Sequence, residues 1–516
     1  MTEQGILLDV PAAPPPDHSE PPRPPAAPRL KPINRAQKSW EELDLEQLIE
    51  ADHPARAIWD LVERMELEGF LRTNKSVAGV AGANRIDPRV LVSVWIYGYS
   101  LGIGEARELD RRMRQEPGLR WLSAGQSISY GTLAHFRGEH GEAVQGLFAQ
   151  VLGVLSQAGL VKLERVTLDG TKIEAVAGAH SFRREGTLTE HLRQARQVVE
   201  EWNTEAGAAE AKTRRQAAQQ RAARERAERL QQASQQLEEI RKGKHGEGEK
   251  QQARVSESEP EARLMKHGDG GFQPSYNAQL LTDVEHKIVV DVELTQQAGD
   301  QQQLQPALER LRERAEPPPQ VIVDGGYVTQ DNVVRAAQQG VNLIGPQLDP
   351  ERQRERNTQQ ALLRAGIAAD FGPAAFRIVE QGQALECPAG KRLGCVADNA
   401  AYRSYQARPG DCGECPHQLR CCPQSGARTV KFGKTPAEVE AFHQRMRTAA
   451  AREVYRLRGP TAEFPHAWIK DKLGLRKFHL RGLAKARLEA WWAVLTYNIQ
   501  QWIRLCWRPA NAAAAA

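Results

Sequence analysis

Val166-Thr-Leu-Asp169-Gly-Thr-Lys172 and Val321-Ile-Val-Asp324-Gly-Gly-Tyr327 are two short apolar runs, each closing on an aspartate followed by glycine. Runs of this length and composition read as buried strands. In open α/β sheets the chemistry gathers outside the carboxyl ends of strands, and a glycine there lets backbone or substrate approach closely. A lone strand-end aspartate is usually a turn former or a helix cap. Two in the same Asp-Gly context, on separate strands, point to a site. The first run bends at Gly170 or continues past it, since Ile173 extends the apolar pattern.

A third polar stretch lies far downstream: Tyr455-Arg-Leu-Arg458, then Glu463, then Lys470. Asp169, Asp324 and Glu463 can meet only if the fold brings them together. Carboxylates that meet repel one another unless cations sit between them. Hard divalent ions such as Mg²⁺ take oxygen ligands from a few carboxylates and from substrate phosphates. That is the chemistry of phosphodiester cutting and joining by two metal ions. The spacing of Glu463 and Lys470 places them on one helical face, so an acid that holds metal would stand near a lysine that meets phosphate. Read alone, the same stretch is a surface helix of balanced charge.

Around the second aspartate the pattern is that of a mixed α/β sheet. Residues 274–295 read as a strand, a turn and a second strand. Residues 302–314 form an amphipathic helix, 321–323 a short buried strand, 330–339 a helix, and 341–344 another strand. Before the first aspartate, residues 40–160 are helical. Pro88 marks a helix start, a second helix covers about 103–113 with Arg107, Arg111 and Arg112, and a third begins at Ser129 or Tyr130. A helix-turn-helix cluster and a plain bundle with solvated arginines fit this pattern equally well. Residues 184–256 are rich in Gln, Ala, Arg and Glu and read as an inserted helical hairpin. A solvated spacer is the plainer reading of that hairpin than a DNA-binding arm. A long helix is expected from Pro436, and a buried helix over about 484–505, where Trp491, Trp492, Val494, Leu495, Ile499 and Trp502 leave no polar face.

Six of the seven cysteines fall between Cys387 and Cys422. Cys387, the Cys412-x2-Cys415 pair and one of Cys421 or Cys422 could close one tetrahedral zinc site; a reduced cluster without metal is the alternative. Cys395 and the other of Cys421 and Cys422 would then be spare, and Cys506 reads as core. His180, His267 and His466 lie near the acidic motifs in sequence, where an ordinary hydrogen-bonded histidine is the plainer reading.

The chain has 516 residues, a net charge of +5 and 40% hydrophobic residues. That length expects two to four domains. The charge permits nucleic-acid binding without requiring it. No apolar run reaches the roughly 18 residues of a membrane span, and the proline-rich start carries no signal-peptide pattern. The expectation is a cytoplasmic protein with a disordered tail over 1–38.

At this point the chain resembles a DDE transposase of a bacterial insertion sequence. Leu43-x-Leu45-x2-Leu48-Ile49 and Asp52-His53-Pro54 resemble an InsH-type N-terminal domain, as do Trp95-x-Tyr97-Gly98, Gly102-Ile-Gly104, Arg107-Glu108-Leu109 and Thr132-Leu133-x2-Phe136-Arg137. Leu168-Asp169-Gly-Thr-Lys-Ile-Glu-Ala175 is similar to the first catalytic block and Asp324-Gly-Gly-Tyr327 to the second. Pro260 to Lys266, Gly271-Phe272 and Tyr276-Asn277-x-Gln279 resemble a block between them. Tyr455, Arg458, Glu463 and Lys470 match the Tyr/Arg/Glu/Lys signature of the third. Phe464-Pro465-His466 departs from it, standing where the family has a glycine-bearing stretch. The cysteine region resembles one found in part of the family.

The resemblance implies a ribonuclease-H-like catalytic core with Asp169 on its first strand, Asp324 on its fourth and Glu463 on a later helix. It implies two Mg²⁺ (or Mn²⁺) ions on those three acids, with one structural Zn²⁺ on Cys387, Cys412, Cys415 and Cys421 as a further candidate. Tyr455, Arg458 and Lys470 would position phosphate, and Arg107, Arg111, Arg112 and Arg137 are candidates for DNA contact. The expected partners are double-stranded DNA, both terminal inverted repeats and target, and a second copy of the chain in a homodimer or larger assembly on DNA, in the nucleoid. The implied domains are a helical DNA-binding domain over 39–160, a catalytic core over 161–346 interrupted by the 184–256 insertion, a Cys-rich insertion over 347–432, and the C-terminal helices of the core over 433–507. The alternatives are a domesticated or inactive transposase-derived DNA-binding protein, and a helical interaction protein built on the hairpin. The presence of all three acids speaks against both.

Overall fold

The computed structural model describes residues 44–72, 85–206, 213–244, 246–346, 350–399, 402–424, 426–508 and 510–511. The expected proline-rich tail and the alanine run at 512–516 lie outside them. The described residues from Leu45 onward form one compact unit.

The front of the chain is helical: α1 (Pro54–Val62), α2 (Pro88–Ser100), α3 (Ala106–Met113), α4 (Pro117–Leu122), α5 (Tyr130–Glu139) and α6 (Gly141–Gln157). Local chemistry sets their starts. Proline opens α1, α2 and α4, where its missing N–H costs nothing. Asp87 accepts from Arg89 N and Ser129 accepts from Thr132 N, so each caps the helix that follows it. The helix expected from residue 103 starts at Ala106 instead, behind Glu105.

A six-stranded sheet follows. Its first strand is β1 (Arg165–Glu174). Then comes the hairpin region: β2 (Phe182–Arg183), α7 (Glu185–Ala206), α8 (Arg214–Lys242), α9 (Glu247–Gln251) and β3 (Val255–Ser256). Strands β2 and β3 pair at its base, and Leu188, Ala195, Leu230, Ala233 and Leu237 pack between its helices. The sheet continues with β4 (Arg263–Lys266), β5 (Phe272–Asp283), β6 (Val289–Thr295), α10 (Leu304–Arg312), β7 (Gln320–Val323), α11 (Gln330–Gln338) and β8 (Asn342–Ile344). β5 is central. β4 and β6 pair with one of its edges and β1 with the other, all antiparallel; β7 and β8 then add parallel to β1. Strands β1, β5 and β6 were legible from their apolar runs, whereas β4 carried no such signal.

After α12 (Pro350–Arg364) comes a separate antiparallel sheet: β9 (Arg377–Val379), β10 (Ala384–Glu386), β11 (Arg392–Asp398), β12 (Tyr402–Ala407) and β13 (Thr429–Gly433). Two short helices, α13 (Pro409–Gly413) and α14 (Gln418–Cys421), lie between its last two strands. It has its own small core of Phe376, Leu385, Leu393, Tyr405 and Val430.

The long helix expected from Pro436 is three shorter ones: α15 (Ala437–Arg447), α16 (Ala449–Arg456) and α17 (Arg458–Ala467). Thr448 is extended (φ −72°, ψ 147°) and its side chain accepts from Ala451 N, which ends one helix and caps the next. Trp468–Lys472 forms a single π-turn. The last helix, α18 (Leu483–Trp502), is buried over most of its length, as its composition demands.

The main sheet has two cores. On one face Ile173, Tyr276, Ala278 and Leu280 join the front helices and α18. On the other, Val166, Leu168 and Leu281 join α10, α11 and α15. Asn498 ties α18 to β6 by accepting from Val289 N at 3.0 Å and donating to Val289 O at 2.8 Å.

Candidate active site

Asp169 is not at a strand end. β1 continues to Glu174 because β5 pairs with it throughout, Asp169 standing opposite Leu280. On its other edge the parallel partner stops sooner: Val323, the last residue of β7, stands opposite Leu168. Asp324 is the next residue. The two aspartates are therefore neighbours, one mid-strand and one at a strand end, where β1 outruns β7.

Side chains alternate across a strand. Asp169 shares a face with Leu280, toward the α18 core, and α17 packs on β1 on that face. From α17, Arg458 reaches both acids. Its Nη2 donates to Asp169 Oδ1 at 3.2 Å and stands 3.7 Å from Asp324 Oδ2. About two helix turns further on, His466 Nδ1 stands 3.9 Å from Asp169 Oδ2. Asp169 also accepts from Gly170 N at 3.0 Å, and Asp324 Oδ1 accepts from Gly326 N at 2.7 Å.

The electrostatics follow from this crowding. Burial pushes the Asp169 carboxyl up to about 6; Arg458 opposes that rise, and the charges of Asp324 and Asp300 add to it. Burial, then the Lys470 and Arg458 cations, hold the His466 imidazole down to about 3, so it is neutral. Burial likewise lowers the Lys470 ammonium, with Arg476 adding to the effect. Among the described residues, His466 Nε2 and Arg458 Nε are buried without a hydrogen-bond partner.

Glu463 is on α17 but exposed. Its carboxylate lies over the first turn, with Oε1 3.8 Å from where a Gly459 Cβ would stand. Among the described residues no three His, Cys, Asp or Glu side chains stand together as a metal group. Thus α17 brings Arg458 and His466 to the aspartate pair, and leaves Glu463 on its outer side. The π-turn breaks the register between Glu463 and Lys470, so the simple one-face relationship does not hold beyond Ala467. Tyr455 is half-buried against the β7–α11 core.

One acid had no sequence signal. Asp300, in the loop after β6, accepts through Oδ1 from Asn277 Nδ2 and from Gln279 Nε2, both at 2.8 Å. Gln279 Oε1 in turn accepts from the Tyr327 hydroxyl. Burial and then the Asp300, Asp169 and Asp324 charges push the Tyr327 phenol far up, keeping it a donor.

The arginines differ in fate. Arg107, Arg111 and Arg112 are exposed on α3; Arg111 and Arg112 pair with Glu108, and Arg107 lies over the Tyr130 ring. Arg137, expected as a DNA contact, is 3% exposed and stacks on Trp95, with Glu489 Oε1 3.7 Å away. It is an internal strut. His180 is exposed, and His267 Nε2 bonds to Ser275 Oγ at 2.7 Å; His466 alone of the three adjoins the acids.

The cysteines converge loosely. Cys421 lies within electrostatic reach of Cys412, Cys387 and Cys415, and burial pushes its thiol up. Lys391 N donates to Cys387 Sγ at 3.3 Å and Arg428 N to Cys412 Sγ at 3.4 Å.

Two family descriptions match the chain. "Transposase domain (DUF772)" covers residues 43–139, the front helices through α5. "Transposase DDE domain" covers residues 386–503, from the edge of the cysteine region through Glu463 and Lys470 to the end of α18. Asp169 and Asp324 lie outside both. No curated protein and no solved structure matches. The mixed α/β architecture and the two matches support a transposase. Within that class they support a DDE transposase of an insertion sequence, whose DDE domain implies a ribonuclease-H-like fold. Among the described residues no helix is long and apolar enough to cross a membrane.

Proposed function

We propose that the chain cuts and rejoins DNA phosphodiesters at the ends of its own insertion sequence. The observation that carries this reading is the meeting of Asp169 and Asp324 beside β7, with a cationic side chain bridging them. The sheet order β6-β5-β1-β7-β8, three antiparallel strands then two parallel ones, supports a ribonuclease-H-like core.

The donor set suits hard divalent ions, Mg²⁺ or Mn²⁺. It offers carboxylate oxygens at the pair, and burial, with the Asp324 charge adding to it, makes Asp169 resist ionisation. Asp169 and Asp324 would hold such ions, two when substrate is bound, with Glu463 as the third acid; bound there, they would activate an attacking oxygen and neutralise a leaving one. Glu463 must turn inward from its place over Gly459 to take part. Arg458 offers a planar fork suited to phosphate, and Lys470 a point charge. Tyr455, half-buried near the end of α16, would orient the start of α17, which carries Arg458. Such contacts position DNA without reading sequence. End recognition falls to the exposed arginines of α3, Arg107, Arg111 and Arg112, and pairing of two ends calls for at least two copies of the chain on DNA.

Cys387, Cys412, Cys415 and Cys421 would hold one structural zinc. Thiolate chemistry fits that ion, and the two backbone N–H groups aimed at sulfur would steady the thiolates.

The test is Mg²⁺-dependent cleavage of the element's terminal DNA by wild type and by Asp324→Asn. Cleavage by wild type alone, with DNA binding kept by both, supports the reading. Equal cleavage by the variant removes Asp324 from the site.

A further inference from the structure

One further acid stands beside a glycine near each candidate aspartate: Gly170, next to Asp169, and Gly326, two residues past Asp324. Gly170 stands opposite Gln279, so its missing side chain faces away from Asp169. A Cβ there would stand 2.4 Å from Gln279 Nε2 and 2.6 Å from Asp300 Oδ1, so any side chain at this position would displace one of those two groups. A Cβ on Gly326 would stand 3.0 Å from Asp324 Oδ1 and 3.6 Å from Asp300 Oδ2. Asp300 thus lies behind the pair, across the sheet from Arg458, beside Gly170 and Gly326.

Its hydrogen bonds have a direction. A carboxyl oxygen that takes two amide N–H groups acts as their acceptor. Asp300 Oδ1 therefore fixes the Gln279 amide with its NH₂ inward, which leaves Gln279 Oε1 as the acceptor for the Tyr327 hydroxyl. Tyr327 closes the turn that starts at Asp324, its N–H donating to Asp324 O at 3.3 Å. Asn332 Nδ2 donates to both Tyr327 O at 2.7 Å and Gln301 O at 2.8 Å, so the Asp300 loop and the Asp324 turn are also joined through the Asn332 side chain.

We propose that Asp300 is a positioning residue of the active site, acting through Gln279 and Tyr327 to fix the turn that presents Asp324. The inference rests on the reading of Asp169 and Asp324 as cation-holding acids. Without the carboxylate, Gln279 is free to flip, Tyr327 loses its acceptor, and the turn loosens although both acids remain.

The experiment measures Mn²⁺ binding to the full-length chain by electron paramagnetic resonance, alongside DNA cleavage and thermal melting. Outer partners of metal ligands typically change metal affinity by about 10- to 100-fold. Asp300→Ala and Tyr327→Phe should each weaken Mn²⁺ by about tenfold, at the low end of that range. The double variant should be no weaker than either single one, because both cut one relay. Asp300→Asn keeps an acceptor oxygen for both amides and should stay within about threefold of wild type. Wild-type Mn²⁺ affinity in Tyr327→Phe overturns the proposal even if Asp300→Ala fails to fold. Additive losses that track melting temperature overturn it too, since they describe a merely structural residue. Asp324→Asn separates the two failures: if it binds Mn²⁺ as wild type does, the reading of the site is at fault and Asp300 falls with it.

Discussion

Arg458 donates to Asp169 Oδ1 at 3.2 Å across 289 residues of chain. The ion pair joins α17 to the first strand, which backbone bonds also tie to the C-terminal segment, Glu174 N donating to Arg476 O at 3.1 Å and Phe478 N to Glu174 O at 2.8 Å. It offsets only part of the charge at the site, because a single guanidinium faces Asp169 and Asp324 together and Asp300 lies behind them.

A stability prediction follows from that imbalance. The Asp169 carboxyl rises from 3.8 to about 6 on folding. Between those values the folded chain binds more protons than the unfolded one, so this group's contribution falls as pH rises through the window and stays lost above it. At about 1.4 kcal/mol per pH unit the cost at neutral pH reaches ~3 kcal/mol as an upper bound. Asp169→Asn resembles the protonated acid. In EDTA it should melt higher than wild type at pH 8, and the difference should vanish by pH 4. Equal melting at pH 8 would show that Asp169 carries no such strain.

Arg137 gives a second prediction. Beyond Trp95 and Glu489 it bonds to Gly104 O and to Tyr99 Oη, the latter at 3.3 Å. Glu489 also accepts from His479 N at 2.9 Å and Leu480 N at 3.1 Å, so it joins the front helices to the segment after the π-turn. Breaking a buried pair typically costs about 3–5 kcal/mol. Arg137→Ala should lower the melting temperature by several degrees and leave the DNA affinity of the remaining folded protein unchanged. A large affinity loss without a melting shift would return Arg137 to the DNA surface.

The cysteines supply a third. Purified chain should contain about one zinc, and Cys412→Ser or Cys415→Ser should lose it. Elemental analysis at background, with the thiols freely titrated, would leave the cluster metal-free.

Much of this architecture was legible because it is written in local periodicity. The apolar runs before Asp169 and Asp324, the caps at Asp87 and Ser129, and the all-round apolar face of α18 each depend on neighbours in sequence. What was hidden depends on distant partners. Whether β1 stops at Asp169 is decided by β5, which pairs with it to Glu174. Arg137 reads as a surface arginine until Glu489 is folded against it. Asp300 sits in Thr295-Gln-Gln-Ala-Gly-Asp300-Gln-Gln, a polar stretch with no apolar flank to single it out. The Cys-rich sheet has strands as short as three residues, too brief for alternation to register. Thr448 was a readable cap, but the run of helix formers around it outweighed that signal.

The last prediction concerns the third acid. His466 stands 3.9 Å from Asp169, whereas Glu463, three residues earlier on α17, is exposed. A neutral, buried imidazole cannot replace a carboxylate as a charge for two cations, although its ring can hold Asp169 in place. Glu463 needs only a rotamer change or a slight roll of α17 to face the pair, and the π-turn after Ala467 supplies slack for such a roll. Glu463→Gln should therefore cut the rate of Mg²⁺-dependent cleavage by at least about 100-fold, the scale of losing one transition-state charge contact, with DNA affinity kept. His466→Ala should cost about tenfold or less, as expected for a group that orients another. The reverse order of effects in single-turnover cleavage would make His466 the third group of the site and leave Glu463 a surface residue.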